Sequence, residues 1–116
     1  MNGMLDNINT QMRKGMLEYC VLLTLQHNRA YPSDILAILK EANMIVVEGT
    51  LYTLLNRMKR EEKLDYTWEE SPKGPPRKYY HLTRQGEMLL HIMGMSWDSL
   101  SNTIDRLRGL QKRLQE

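Results

Sequence analysis

The sequence predicts a mainly α, α+β chain: three helices, then a β-hairpin, then one long helix that ends it. Three observations carry that reading. Apolar residues recur at three- and four-residue spacing in three successive stretches before residue 64. Two alternating segments then flank a proline-rich turn at 71–76. From residue 83 onward an apolar stripe continues with no proline to interrupt it. At 116 residues the chain has the size of one domain, so a second independent core is not expected.

Residues 1–10 are polar on balance and are expected to form a frayed, flexible segment. Between Met12 and Gln26 the spacing of Met12, Met16, Tyr19, Cys20, Leu22, Leu23 and Leu25 predicts a mostly buried helix. A second helix should begin near Pro32, whose missing amide proton is harmless in a first turn, and end near Asn43. Asp34 puts negative charge where the helix dipole favours it, and Ile35, Leu36, Ile38 and Leu39 make the inner face.

The third helix is placed from Glu48 to about Lys63, with Leu51, Leu54, Leu55 and Met58 on one side. Its start conflicts with local preference, because Val47 is a poor N-cap and Ile45-Val46-Val47 alone suggests a strand. The leucine periodicity that follows decides for helix. Residues 64–69 and 77–82 alternate as two strands, joined by a turn whose tip carries Lys73. Tyr79 and Tyr80 must point to opposite faces of their strand, and the sequence does not say which is buried.

Thr83 fits the N-cap of a final helix reaching about Leu114. Leu89, Met93, Trp97, Leu100, Ile104, Leu107 and Leu114 advance along it by fours and threes, broken at Gln111. One small domain cannot cover so long a stripe, so a second copy of the chain is the expected cover, with Leu89, Met93, Trp97, Leu100, Ile104 and Leu107 as dimer contacts.

Three helices closed by a two-stranded hairpin match a winged helix-turn-helix. In such a module the third helix enters the major groove of duplex DNA and the wing follows the neighbouring backbone. The predicted division is a flexible segment at 1–10, a DNA-binding domain at 11–82 and a dimerisation helix at 83–116. Charge placement agrees with it. The whole chain carries only +2, from sixteen Lys and Arg against fourteen Asp and Glu. Residues 71–86, by contrast, hold Lys73, Arg77, Lys78 and Arg84 with no acid, and Arg57, Lys59, Arg60 and Lys63 gather at the end of the third helix beside Glu61 and Glu62.

The sequence also resembles the PadR-like transcriptional regulators, in particular the short members with a single C-terminal helix. The resemblance runs from about Lys14 to Leu107. It is strongest over Glu48-Gly49-Thr50-Leu51-Tyr52-Thr53-Leu54-Leu55-Asn56-Arg57-Met58 and over Gly74-Pro75-Pro76-Arg77-Lys78-Tyr79-Tyr80-His81-Leu82-Thr83-Arg84-Gln85-Gly86. It implies a dimeric bacterial regulator, usually a repressor, of detoxification, phenolic-acid or drug-efflux genes. The family's recognition-helix positions fall on Thr50, Leu51, Tyr52 and Arg57, and its wing contacts on Lys73, Gly74, Arg77 and Lys78. Trp97 corresponds to an aromatic of multidrug-sensing members, in which paired tryptophans flank a cavity at the dimer interface and sandwich planar aromatic compounds. Met93 joins Trp97 as an expected effector contact, with Met88 and Met95 as an adaptable wall. Two departures stand out: Val47 replaces a polar cap, and Tyr31-Pro32-Ser33 replaces the usual Tyr-Gly-Tyr.

Each role has a plainer competitor. Thr50 is either a phosphate or base contact or an exposed helix residue. Tyr52 donates to phosphate or packs on the wing, Arg57 pairs with phosphate or with Glu61 at i,i+4, and Trp97 lines a cavity or is an ordinary interface residue. A dimeric reader implies an operator with an inverted repeat, its half-sites roughly 34–36 Å apart. The competing functions are a protein-interaction module on the same scaffold and a small-molecule carrier without operator preference.

No cofactor, metal or catalytic role is expected. His27, His81 and His91 lack metal-ligand spacing, and Glu61-Glu62 and Glu69-Glu70 are adjacent residues whose side chains diverge. The single cysteine, Cys20, lies in an apolar run and reads as a core residue of a reducing compartment. With neither a signal-like start nor a long apolar run, a cytoplasmic location is expected.

Overall fold

The computed structural model describes residues 2–115, and the side chains of all of these except Asn2, Thr10, Lys14 and residues 111–115. Among the described residues seven elements follow one another: α1 (Asn2–Lys14), α2 (Leu17–Thr24), α3 (Pro32–Glu41), α4 (Glu48–Arg60), β1 (Leu64–Ser71), β2 (Gly74–Leu82) and α5 (Arg84–Gln115). This is the mixed fold read from the sequence, a winged helix-turn-helix followed by a long C-terminal helix.

Two N-terminal expectations are corrected. From Asn2 onward a helix stands within the segment 1–10 that was expected to fray, and the helix expected over 12–26 is broken at Gly15-Met16 into α1 and α2. Only α2 reaches the core. Val21 and Leu22 are fully buried, whereas Met4, Leu5, Ile8 and Met12 of α1 are exposed on one helical face.

The core is a single cluster. Val21, Leu22 and Leu25 meet Ile35 and Leu39 of α3, and Leu51, Leu54, Leu55 and Met58 of α4. The wing closes it with Leu64 and Tyr80, and no polar or charged residue is buried among the described residues.

Caps explain the helix ends. Tyr31 precedes α3, with Pro32 in the first turn, and the Asp34 carboxylate accepts the Tyr31 N–H at 3.1 Å. Both α3 and α4 end in Schellman turns. Asn43 takes φ 65° and the Met44 N–H donates to Leu39 O; Glu62 takes φ 63° and the Lys63 N–H donates to Met58 O. The left-handed residue at 62 is why α4 stops at Arg60 and not at Lys63 as expected. Val47 caps α4 with its backbone alone, as its poor cap chemistry implies.

β1 and β2 pair antiparallel from Leu64↔Leu82 to Ser71↔Gly74, and so extend past the strand ends expected at 69 and 77. The register slips between Glu69 and Ser71, where β2 holds one residue more. That residue falls at Pro75-Pro76, which have no N–H to donate to a ladder. Ala30 pairs with the far edge of β2, exchanging two backbone hydrogen bonds with Tyr80 at 3.0 and 2.8 Å. Tyr80 therefore points into the core, and Tyr79 lies on the other face, its ring 4.7 Å from that of Tyr31.

Thr83 caps α5 as expected: its Oγ1 accepts the Gly86 N–H at 3.0 Å and donates to Glu62 O at 2.6 Å. A Cβ at Gly86 would collide with the Lys63 carbonyl oxygen, so glycine is required where α5 leaves the wing. α5 then runs 32 residues. At 1.5 Å per residue that is about 48 Å.

Candidate nucleic-acid interface

Burial of one α4 face fixes what the other can do. Leu51, Leu54, Leu55 and Met58 face inward, which turns Gly49, Thr50, Tyr52, Thr53, Asn56 and Arg60 to solvent. Thr50 and Tyr52 are thus available for the contacts expected of them. Leu51 is not: it is fully buried, so its assignment to DNA contact is withdrawn and its side chain holds the helix on the core. Thr53, which the sequence already sets off the apolar side without assigning it a contact, and Asn56, which it does not single out, share the exposed face. Their offsets of two and five residues from Leu51 were the signal. Asn56 has the side chain that pairs bidentately with adenine, while Thr53 spends its hydroxyl proton on Gly49 O at 3.0 Å.

Arg57 was expected to pair with phosphate. Instead its guanidinium donates to Glu61 Oε1 at 2.8 Å and to Glu18 Oε2 of α2 at 3.4 Å. Each such half-exposed pair contributes at most about 1 kcal/mol. The Glu18 pair ties α4 to α2, and the two carboxylates together offset the charge a phosphate would need.

The wing holds its cations in three ways. Lys73 sits exposed in the two-residue turn between Ser71 and Gly74. Arg77 is drawn back toward α3, its guanidinium 4.1 Å from the Tyr31 ring centroid and 3.3 Å from Ser33 Oγ. The Tyr31-Pro32-Ser33 segment thus carries a wing arginine on the N-terminal end of α3. Lys78 lies on the opposite face, over Tyr66 at 4.6 Å and Trp68 at 5.6 Å. Asp65 is held below the usual carboxylate range, first by the Tyr66 backbone N–H and then by Lys59 and His81 nearby.

Beyond the winged body, the predicted stripe of α5 divides in two. Leu89 and Met93 are half-buried and pack on the chain's own core. Trp97, Leu100, Ile104 and Leu107 are exposed and lack a cover in a single chain. Gln111 and Leu114 lie outside the residues whose side chains are described. Trp97 borders an open groove of about 470 Å³, lined also by Met12, Arg13, Met16, Tyr19, Cys20, Leu23 and Met44. Met93 does not line this groove, whose methionines are Met12, Met16 and Met44. Cys20 is only half-buried, and burial pushes its thiol up against a weaker opposing pull from Arg13.

Among the described residues no group of three or more His, Cys, Asp or Glu could hold a metal ion, and no helix is long and apolar enough to cross a membrane.

Comparison with known proteins agrees with this geometry. Residues 21–92 match the model of the transcriptional regulator PadR-like family. A PadR-like transcription factor from Bacteroides fragilis is 54% identical, with 87% of this chain and 98% of that one covered and a TM-score of 0.75. A PadR-like transcriptional regulator from Bacillus cereus is 37% identical over 84% of this chain and 95% of that one, with a TM-score of 0.74. Bacillus subtilis PadR, solved in complex with operator DNA, shares the fold at 22% identity and a TM-score of 0.62, with 66% of this chain and 45% of that one covered. No curated protein matches the chain.

Proposed function

The chain belongs to the PadR-like family of transcriptional regulators, DNA-binding proteins and not enzymes, and from that premise we propose that it is a cytoplasmic homodimeric repressor which a small planar aromatic compound releases from an inverted-repeat operator. The single observation that carries the DNA half of this reading is the exposed polar face of α4, set beside a wing with Lys73, Gly74, Arg77 and Lys78. In this reading α4 lies in the major groove with Thr50, Tyr52 and Asn56 toward the base edges and phosphates. The wing cations hold the neighbouring backbone. Arg57 positions α4 against α2 and is not a phosphate contact.

The dimer is supported by two unpartnered apolar faces. One runs through Trp97, Leu100, Ile104 and Leu107 of α5, the other through Met4, Leu5, Ile8 and Met12 of α1. Both lie outside the closed core, and each is the kind of stripe that a second helix covers. Two copies so joined would set their α4 helices at the spacing of successive major grooves. A compound in the Trp97 groove would release DNA only by preferring a dimer with the wrong spacing, since equal affinity for both arrangements shifts nothing.

Selection of duplexes from a random-sequence pool tests the reading. An inverted repeat should emerge, and planar dyes should quench Trp97 fluorescence and weaken retention of the selected duplex. A stable monomer at micromolar concentration with no sequence preference would overturn it. Dye binding without operator preference would point instead to a small-molecule carrier.

A further inference from the structure

The wing carries a large exposed aromatic that the expected contacts do not use. Trp68 of β1 is 61% exposed. It lies on the strand face that begins with buried Leu64, but too far along the wing to reach the core. An indole left in water forgoes burial that could stabilise the fold, so its surroundings bear on what it meets.

Those surroundings are cationic and aromatic. Lys78 stands directly across the strand pair from Trp68, its ammonium over both the indole and the Tyr66 ring. Lys59, from the C-terminal half of α4, lies 5.8 Å from the centre of the same Tyr66 ring. Tyr66 meets Trp68 edge-to-face at 5.8 Å and Tyr80 at 5.4 Å. The Tyr80 phenol is pushed up by burial and, further, by the neighbouring phenols of Tyr66 and Tyr52. A band of rings therefore leads from buried Tyr80 through Tyr66 to exposed Trp68 out along the wing, with Lys78 over it and Lys59 beside Tyr66. Asp65 and Glu69 alternate onto the other face of β1, although Asp65 Oδ1 still reaches Lys59 Nζ at 3.6 Å and occupies that cation, and Glu70 falls at the register slip near the tip.

Rings interleaved with lysines suit nucleic acid, because ammonium groups neutralise phosphates while a flat apolar face takes sugars and base edges. What favours DNA over an acidic protein or an anionic lipid surface is position: Tyr66, in edge-to-face contact with Trp68, lies beside Lys59 of α4, the helix whose exposed polar face carries the DNA-binding reading. We propose that Trp68, with Lys78 across the strand pair from it, is a DNA-contact residue of the wing. Its indole lies against the deoxyribose and base edges of the groove next to the one that α4 enters, and the Lys78 ammonium holds a neighbouring phosphate. The proposal rests on the DNA-binding reading above and adds to it an apolar contact whose contribution does not depend on salt.

The test uses the full chain and duplexes that the wild-type protein has selected from a random pool, with affinity measured across a salt series. Trp68→Ala should weaken binding about tenfold at every salt concentration and leave the slope of log affinity against log salt unchanged. Trp68→Phe should recover most of the loss. Lys78→Gln should instead lower the slope by about 0.9. Trp68→Thr, a good strand former without a ring, serves as a second ringless variant with its fold checked by circular dichroism. Wild-type affinity in either folded ringless variant, with Lys78→Gln still reducing the slope, would overturn the role of Trp68 and leave the DNA-binding reading intact. Failure of the wild-type protein to select any duplex would overturn that reading, and the proposal with it.

Discussion

The winged body and the two outer helices treat apolar residues in opposite ways. Between α2 and β2 the large side chains close on one another: Leu22, Ile35, Leu51, Leu55 and Met58 are fully buried. Along α1 and the distal half of α5 comparable residues stay in water; Leu5 is 58% exposed and Leu107 60%. Composition does not separate the regions, since both use helices with residues at three- and four-residue spacing. Closure does. One region is complete within a single chain, and the other has the pattern of half a core.

The largest expected effect would break this contrast. Leu100→Glu combined with Ile104→Glu puts two carboxylates on the exposed stripe of α5, where a second copy would have to bury them unpaired. Self-association should weaken at least about a hundredfold, read by sedimentation or size-exclusion chromatography against concentration. Helicity of the winged body should persist. Unchanged association would mean that this stripe covers nothing.

In the monomer so obtained, deletion of equal side chains on either side of the contrast sharpens it. Leu55→Ala should cost about 2–4 kcal/mol by urea unfolding, because the cavity opens in a closed core. Leu5→Ala, the same change on α1, should alter stability by less than about 0.5 kcal/mol. A large effect at Leu5 would show that α1 folds onto its own chain.

The contrast also governs what the sequence could reveal. Where side chains close on one another, periodicity was enough: Leu51, Leu54, Leu55 and Met58 placed α4 correctly in spite of Val47 at its cap. α1 was missed because Asn7, Asn9 and Gly3 are weak helix formers, and its stripe has no core within the chain to be matched against. The proline-rich tip was read as a loop, although Pro75 and Pro76 fit a ladder at an irregularity on an edge. At the site, family position assigned Leu51 to DNA although its periodicity set it with Leu54, Leu55 and Met58 on the apolar side, and burial decides for the periodicity. Arg57 was already known to have Glu61 within reach, but Glu18 lies 39 residues away and could not be foreseen. Trp68 was passed over because alternation puts it on the inward face of its strand, and the sequence does not say where along the wing the core ends.

The junction between the two regions should show a smaller effect. Thr83 Oγ1 joins α5 to the end of α4 by accepting from Gly86 N–H and donating to Glu62 O. Thr83→Ala should cost about 1–2 kcal/mol, as loss of an N-cap does, while Thr83→Ser should keep both bonds and most of the stability. Equal losses would assign the effect to the threonine methyl and not to the cap.

The smallest effect separates two copies of one motif. Asn43 and Glu62 both take the left-handed conformation after a helix, and both leave the same pair of backbone hydrogen bonds behind them. Asparagine enters that region readily; glutamate has a Cβ that opposes it and no short polar group to compensate. Glu62→Gly should therefore stabilise the chain by about 0.5–1 kcal/mol, after allowance for the freer unfolded backbone, and Asn43→Gly should change little. The Thr83 bond survives the substitution because Glu62 contributes its carbonyl and not its side chain. Glu62→Gln serves as the control for charge, since removing an acid from the negative end of α4 is itself favourable. If glutamine stabilises as much as glycine in urea unfolding, charge and not backbone conformation sets the cost at this turn.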